Sequence, residues 1–343
     1  MKNKVETFKL SGRVYLLLAI SIFGAANAIT RKLNELGAEN LVDGRNPISF
    51  CNVLFVGNLC ALALLGVLYR HQWRLDLFRR ITWRNWLALS SVAFFGTALV
   101  PTLVFTALSI TTVNNVVLIG QIDTPIILGL SVLLLRERVN GWVIGGAAVS
   151  FVGVVLTVLL QPATGDAMTV VGIDIGRGEL LTLLAAVFQS VSSIISKVSL
   201  QQVPLSIFSG FRMFVGTIIF FVAAILLYEP SHFMDVSSPF LWRWMLVYAA
   251  VIVVGGQLFW FKGLKRSTAG EVSLAAAFNP IAGVLAAYTI LGEIPTIGQY
   301  VGGSVILFGI ALNQIGLSRL SKVALVQLST DKQMDGAVGF KGI

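Results

Sequence analysis

The stretch VFTALSITTVNNVVLIGQIDTPIILGLSVLLLRERVNGWVIGGAAVSFVGVVL, residues 104–156, returns as WFKGLKRSTAGEVSLAAAFNPIAGVLAAYTILGEIPTIGQYVGGSVILFGIAL at residues 260–312. Each copy reads as an apolar helix, a short turn, a second apolar helix, a short charged or Pro-containing turn, and a third. An offset of 156 positions aligns 11 identities in 53 positions, among them Phe105 with Phe261, Thr112 with Thr268, Gly146 with Gly302 and Gly153 with Gly309. Glu137 and Glu293 also match, at a helix end in both copies, where composition alone gives no reason to repeat a charge. A chain duplicated in this way is read as two halves first.

The 343 residues are 56% hydrophobic and only 12% charged, with mean hydropathy +0.85. A soluble domain carries about a quarter charged residues, so lipid is the expected solvent. Apolar stretches of about 20 residues span a hydrocarbon core of about 30 Å. Ten can be drawn, at 13–33, 48–69, 84–109, 112–135, 141–161, 177–199, 204–228, 242–265, 268–291 and 295–316.

The net charge of +9 is explained by where the cations fall. With the amino terminus in the cytoplasm, inside loops and termini hold 19 Lys and Arg and outside loops hold 5, leaving Arg212 within a span. This positive-inside asymmetry supports ten crossings with both termini cytoplasmic, and nucleic acid is not needed as a partner. Five spans per half is an odd number, so the second half lies inverted relative to the first. The expected fold is therefore an all-α integral membrane protein of ten helices in two inverted five-helix repeats. Residues 13–161 form the first repeat and 177–316 the second, with a cytoplasmic segment at 1–12 and a disordered cytoplasmic tail at 317–343.

The first span imitates a secretory signal peptide, ending in Ala26-Asn27-Ala28. It is read as retained, because Gly12-Arg13 and Leu16-Leu17 match Gly176-Arg177 and Leu180-Leu181 at the start of the sixth span. Gly141-x-x-x-Gly145 and Gly298-x-x-x-Gly302 allow close helix approach, within the bundle or between two chains, so monomer and homodimer both stay open. Cys51 and Cys60 share one predicted helix and are read as packing residues.

Helix rise, about 1.5 Å per residue, places polar groups by depth. Asn27, Thr97, Asp123, Gln189, Gln257 and Asn279 come out near the midplane of six different spans. In hydrocarbon each is costly unless it meets a partner or water. A shared polar cavity accounts for all six; six separate interhelical hydrogen bonds are the alternative. Asp123, the only carboxylate near the middle of a span, sits opposite Asn279 in the repeat alignment. It is expected to bind a substrate amine or exchange a proton, or else to pair with Arg212. Pro101, Pro125 and Pro280 interrupt spans three, four and nine and would release the carbonyls of Thr97, Gln121 and Ala276. Such breaks serve as hinges and binding sites in transporters or stand as tolerated kinks. Phe105, Phe23, Trp260 and Phe261 are candidate cavity walls, and Gln121 joins the candidate substrate-binding set.

The search for catalytic, metal and cofactor motifs is nearly empty. No G-x-x-x-x-G-K-[ST] loop holds a nucleotide, His71 and His232 fall in predicted loops on opposite sides of the membrane, and no paired-carboxylate magnesium motif appears. No cofactor and no enzymatic activity are expected.

Leu133-Leu134-Leu135-Arg136-Glu137-Arg138 and Ile290-Leu291-Gly292-Glu293, with the preceding Pro125 and Pro280 and with Phe211-Arg212, resemble the drug/metabolite transporter superfamily, specifically ten-helix exporters built of two EamA-type domains. The resemblance covers about residues 12–316. Arg136 departs from it by standing where the family has Gly, and Asn52 or Val53 stands where the first domain would carry Arg. The resemblance implies a basket of helices with a central cavity lined by spans 1, 3, 4, 6, 8 and 9. Together with the polar midplane groups it leads to the expectation of a secondary carrier in the bacterial plasma membrane that exports small polar metabolites, such as amino acids, by alternating access, with proton coupling one of the two roles open to Asp123. Rival readings are an integral-membrane enzyme acting on lipid-linked substrates and a passive channel.

Overall fold

The computed structural model describes residues 11–42, 44, 46–48, 50–70, 81–136, 139–160, 167–170, 173–199, 203–227, 238–264, 266–267 and 269–338. Among them are nine helices long and apolar enough to cross a membrane, and a shorter apolar one, which together give the ten expected spans. Span 1 is Gly12–Glu39, span 2 Phe50–Leu68, span 3 Trp83–Ile110, span 4 Val113–Leu135 and span 5 Gly141–Leu159. Span 6 is Arg177–Ser199, span 7 Leu205–Leu227 and span 8 Pro239–Leu264. Span 9 runs from Ala269 to Leu291 and span 10 from Ile297 to Val338.

Contacts between spans follow a pseudo-two-fold pattern. Spans 5 and 10 pack on each other, as do spans 2 and 7. Span 1 packs on spans 8 and 9, and its counterpart span 6 packs on spans 3 and 4. The fold is thus the all-α membrane architecture of two inverted five-helix repeats.

The seam between spans 5 and 10 explains the repeated glycines. A Cβ at Gly146 would fall 2.6 Å from the Gly309 carbonyl oxygen, and one at Gly153 would fall 2.9 Å from that of Gly302. Each repeat therefore contributes the same two glycines, seven residues apart, to one antiparallel crossing in which backbone meets backbone. Gly302 also touches Thr157, and Gly298 meets Leu160. Gly141 and Gly145 face open space, so the packing face of span 5 carries Gly146 and Gly153 instead of the first Gly-x-x-x-Gly pair.

Irregularities also repeat. Span 4 is broken at Gln121-Ile122 into 4a, Val113–Gly120, and 4b, Asp123–Leu135. Span 9 is broken at Phe278 into 9a, Ala269–Ala277, and a second half, 9b, opening at Asn279. Asp123 and Asn279, aligned in sequence, are the first residues of equivalent half-helices. Spans 3 and 8 each contain a stretch of π-helix, Phe94–Leu99 and Ala249–Gly255. In span 3 the Val100 amide bonds Phe95, five residues back, just before Pro101, whose missing N–H interrupts the ordinary ladder. Arg136 and Gly292 end spans 4 and 9 in the same left-handed conformation, with φ 53° and 70°. The repeat keeps the turn, although Arg at that backbone position costs about 1–2 kcal/mol that Gly avoids.

Three features lie outside the ten spans drawn from sequence. The two halves are joined through a small antiparallel hairpin, β1 Ala167–Val170 with β2 Ile173–Gly176, which the β-branched run at 169–175 favours. The segment 34–39, expected as loop, extends span 1 by more than a turn, and Asn46 folds back to donate to the Asn34 carbonyl at 3.0 Å. The backbone after residue 316 continues as helix to Val338; residues 317–335 contain neither Pro nor Gly to stop it. Glu137, His71, His232 and residues 1–10 lie outside the described residues, and Cys60 is buried as a free thiol.

Forcing the 5–10 seam apart should destabilise the bundle. Gly302→Val is expected to cost about 1–3 kcal/mol through overpacking, read as a lower midpoint of thermal unfolding in detergent, while Gly145→Ala leaves the midpoint unchanged.

Candidate functional site

Two adjoining cavities lie between the repeats. The first, of about 190 Å³, is lined by span 1 (Phe23, Gly24, Asn27), span 3 (Val100, Val104), span 4 (Gln121, Asp123), span 6 (Thr182, Gln189) and span 9 (Asn279, Gly283). The second, of about 340 Å³, is lined by Asn27, Thr30, Asn58, Thr97, Pro101, Phe105, Gln189, Arg212 and Tyr248. Asn27, Val100, Val104 and Gln189 border both. Their joint lining supplies amides, hydroxyls, one carboxylate and one guanidinium, against walls of Val and Phe.

The broken helices bring the first cavity its polar groups. At the break in span 4 the Gln121 and Ile122 amides bond three residues back to Leu118 and Ile119. The Gln121 carbonyl, expected to be freed by Pro125, instead accepts from the Thr124 amide at 3.2 Å. The Asp123 carboxylate accepts from the Thr124 hydroxyl at 3.1 Å, and its backbone carbonyl accepts from Ser190 of span 6. At the matching break in span 9, Asn279 Oδ1 is buried without a hydrogen-bond partner among the described residues. Gly24 and Gly283 allow spans 1 and 9 to touch here: a Cβ at Gly24 would lie 2.9 Å from the Gly283 nitrogen.

Of the candidates from sequence, Asn27, Thr97, Phe105, Gln121, Asp123, Gln189, Asn279 and Arg212 line one or both cavities, as does Pro101. Pro125 and Pro280 sit in the first turn of 4b and 9b, where Pro is tolerated. Two candidates are not brought to the cavities. Gln257 lines neither, and Trp260 packs edge-on against Phe23 at 6.4 Å in a cluster with Leu16, Ile20 and Ala275. The Asp123–Arg212 ion pair is likewise not formed. Arg212 donates to the Thr97 hydroxyl at 3.1 Å and the Gly96 carbonyl at 3.5 Å, and lies over the Phe208 ring at 5.4 Å. The lining also extends beyond the expected spans, since span 2 adds Val53, Gly57 and Asn58 and span 7 adds Arg212 and Met213.

Sequence reasoning missed the closure above the first cavity, on the side that charge asymmetry assigns to the exterior. One turn beyond Thr182, the buried Glu179 accepts from the Thr111 hydroxyl at 2.6 Å and from the Asn115 amide at 2.7 Å. Asn115 in turn accepts from Gln299 of span 10. Glu293, the repeated glutamate, accepts from the Val113 and Asn114 amides at 3.2 and 3.3 Å and so caps the amino end of span 4. Arg31 of span 1 donates to the Leu108 and Thr111 carbonyls. Spans 1, 3, 4, 6 and 10 and the turn before span 10 are thereby tied at one level. At the opposite end, among the described residues, Asn140 donates to the Gly316 carbonyl at 2.8 Å, and Arg13 and Glu271 pair at 2.6 Å with the arginine largely exposed, an ion pair of little stabilising worth.

This geometry matches known proteins in its outline. The model of the EamA-like transporter family matches residues 10–159 and 176–314, which are the two repeats. The chain belongs to this family. It is 44% identical over 332 residues to an uncharacterized transporter of Synechocystis sp., covering 96% of this chain and 95% of that protein. It is 26% identical over 235 residues to an uncharacterized transporter of Methanothermobacter thermautotrophicus, covering 67% and 65%. A crystal structure 18% identical in sequence superposes with a TM-score of 0.59 over 90% of this chain and 98% of the other, which supports the fold alone. The protein is thus a multi-pass membrane transporter of the EamA family.

Removing the carboxylate at the outer closure should loosen it. Glu179→Ala leaves the Asn115 amide and Thr111 hydroxyl without their acceptor, at an expected cost of about 1–3 kcal/mol. In a background with both native cysteines replaced, Thr182→Cys is expected to react faster with an externally added impermeant maleimide when Glu179 is alanine than when it is intact.

Proposed function

We propose that this EamA transporter is a secondary carrier of small polar organic metabolites, working by alternating exposure of the joined cavities. The observation that carries the reading is the convergence of polar side chains from both inverted repeats on one membrane-embedded space. Asn27, Thr97, Gln121 and Asp123 come from the first repeat and Gln189, Arg212 and Asn279 from the second. Desolvated groups of this kind are retained in a bilayer where they meet a solute. The cavity volumes, 190 and 340 Å³, suit a metabolite better than a large drug.

The broken spans 4 and 9 and the π-helical stretches in spans 3 and 8 supply the moving parts in this reading. Backbone that already departs from the regular ladder next to a cavity changes conformation at smaller cost than an intact helix. The Glu179–Thr111–Asn115–Gln299 network acts as the external closure, and its release exposes the cavity outward. Asp123, at the start of a half-helix and in contact with the first cavity, is the group assigned to proton exchange or to a substrate amine. The assigned location is the bacterial plasma membrane and the assigned direction is export, which the resemblance to ten-helix exporters implies.

Purified protein in liposomes preloaded with unlabelled polar metabolites, amino acids among them, should show entrance counterflow of the labelled compound, with saturation and a transient overshoot. Flux that neither saturates nor overshoots would point to a channel and contradict the carrier. Asp123→Asn is expected to abolish the pH dependence of counterflow; an unchanged dependence would remove the proton role.

A further inference from the structure

We infer that the second cavity holds an anion subsite, built from Arg212, Thr97 and Asn58, that takes the carboxylate of the transported solute. This deepens the carrier reading and rests on it. Arg212 brings a full positive charge into the membrane interior, and among the described residues no carboxylate answers it. Its contacts are a hydroxyl, a carbonyl and an aromatic face. A guanidinium presents five donors in a planar fork matched to a carboxylate, and a single hydroxyl with one distant carbonyl leaves part of that fork unused.

The surroundings are shaped for a small anion. Gly96 lies beside the guanidinium, its carbonyl accepting from Arg212 Nη2 at 3.5 Å, and a Cβ there would collide with the Ser192 hydroxyl of span 6. One turn along span 7, Gly216 lets two further groups converge: a Cβ at that position would fall 2.7 Å from Thr97 Cγ2 and 2.8 Å from Asn58 Nδ2. Asn58 Nδ2 is buried and has no acceptor among the described residues, although it borders the same cavity. An unmet donor in such a place is costly unless something accepts from it. A carboxylate between Arg212 and Asn58 would satisfy both.

The scaffold alone does not require the charge. Matching Leu54-Phe55-Val56-Gly57 of span 2 to Met213-Phe214-Val215-Gly216 of span 7 puts Val53 opposite Arg212. Val53 borders the cavity from the equivalent place and serves the other repeat as an apolar residue. Only one member of the pair carries charge, as a polar solute bound in a single orientation demands. The charge count also selects the ligand. One guanidinium balances a monoanionic carboxylate, whereas a phosphate ester carries nearly two charges and would meet Asp123 across the shared residues Asn27 and Gln189.

The test uses the full-length purified protein and matched probes: acetate with acetamide, L-lactate with lactamide, L-alanine with L-alaninamide, and glycerol 3-phosphate. Binding is read from the midpoint of thermal unfolding in detergent as each probe is titrated. At least one carboxylate is expected to raise the midpoint saturably, with its amide at least about 30-fold weaker, the factor that loss of a buried charged hydrogen bond gives. Arg212→Gln should erase the preference for acid over amide, Arg212→Lys should retain it, and Asn58→Leu should weaken the acid while leaving the amide unchanged. Arg212→Lys and Asn58→Leu still decide the matter if Arg212→Gln does not fold. The proposal is overturned if no carboxylate binds, if amides or glycerol 3-phosphate bind as well as the acids, or if Arg212→Gln discriminates as the wild type does. Counterflow without carboxylate preference would sink the subsite and spare the carrier; carboxylate binding without counterflow would do the reverse.

Discussion

Inside a bilayer a polar group must face another part of the protein or a wet cavity, because hydrocarbon offers no hydrogen-bond partner. That constraint organises this molecule. Spans 4 and 9 are interrupted halfway across, which would be intolerable on the lipid side, and both interruptions point their first carboxylate or amide, Asp123 or Asn279, into the space between the repeats. The lipid-facing surface is meanwhile left to residues such as Leu133, Leu134, Leu285 and Phe308, which remain exposed in the isolated chain. Polar residues are thus concentrated where two halves meet, and the cavity follows from that concentration.

The two halves meet by using the same devices twice in opposite directions. Gly146 and Gly153 of span 5 approach the backbone of span 10 at Gly309 and Gly302, so a duplicated pair of glycines becomes one symmetric seam. Glu293, at the end of span 9, caps the start of span 4 in the other repeat. Its position in the sequence repeat therefore reflects a contact between repeats. Against this symmetry the functional groups are uneven. In the repeat alignment Asp123 matches Asn279 and Arg212 matches Val53, and the buried network around Glu179 stands against the exposed Arg13–Glu271 pair and the Asn140–Gly316 bond among the described residues of the other end. Under the proposed carrier reading, a symmetric scaffold with asymmetric chemistry lets two openings differ in stability.

The membrane class, the ten spans and the inversion were legible in composition, in cation placement and in the 156-residue offset. Depth along each helix was legible too, and it picked out Asn27, Asp123, Gln189 and Asn279. Depth fixes height but leaves the rotation of a helix open, and at 100° per residue a side chain at the right level can face away. Gln257, at the right level, lines neither cavity, and the Asp123–Arg212 pair is not formed because reach along the membrane normal says nothing about lateral separation. The Glu179 network joins residues 64 to 184 positions apart. No local pattern announces it, although a lone carboxylate one turn inside an apolar span was a signal available to a stricter reading. Arg136 in a left-handed turn was visible only as a departure from the Gly at the matching place, and the structure gives that departure its meaning.

The account stands on the two repeats running in opposite directions through the membrane. Ile110 and Arg266 occupy equivalent positions under the 156-residue offset and are both exposed at helix ends. Single cysteines at these two sites, in a background lacking Cys51 and Cys60, can be labelled in intact cells with an impermeant maleimide. The inverted arrangement predicts that the cysteine at 110 reacts from outside and the one at 266 only after the membrane is opened. Reaction of both from the same face would contradict it.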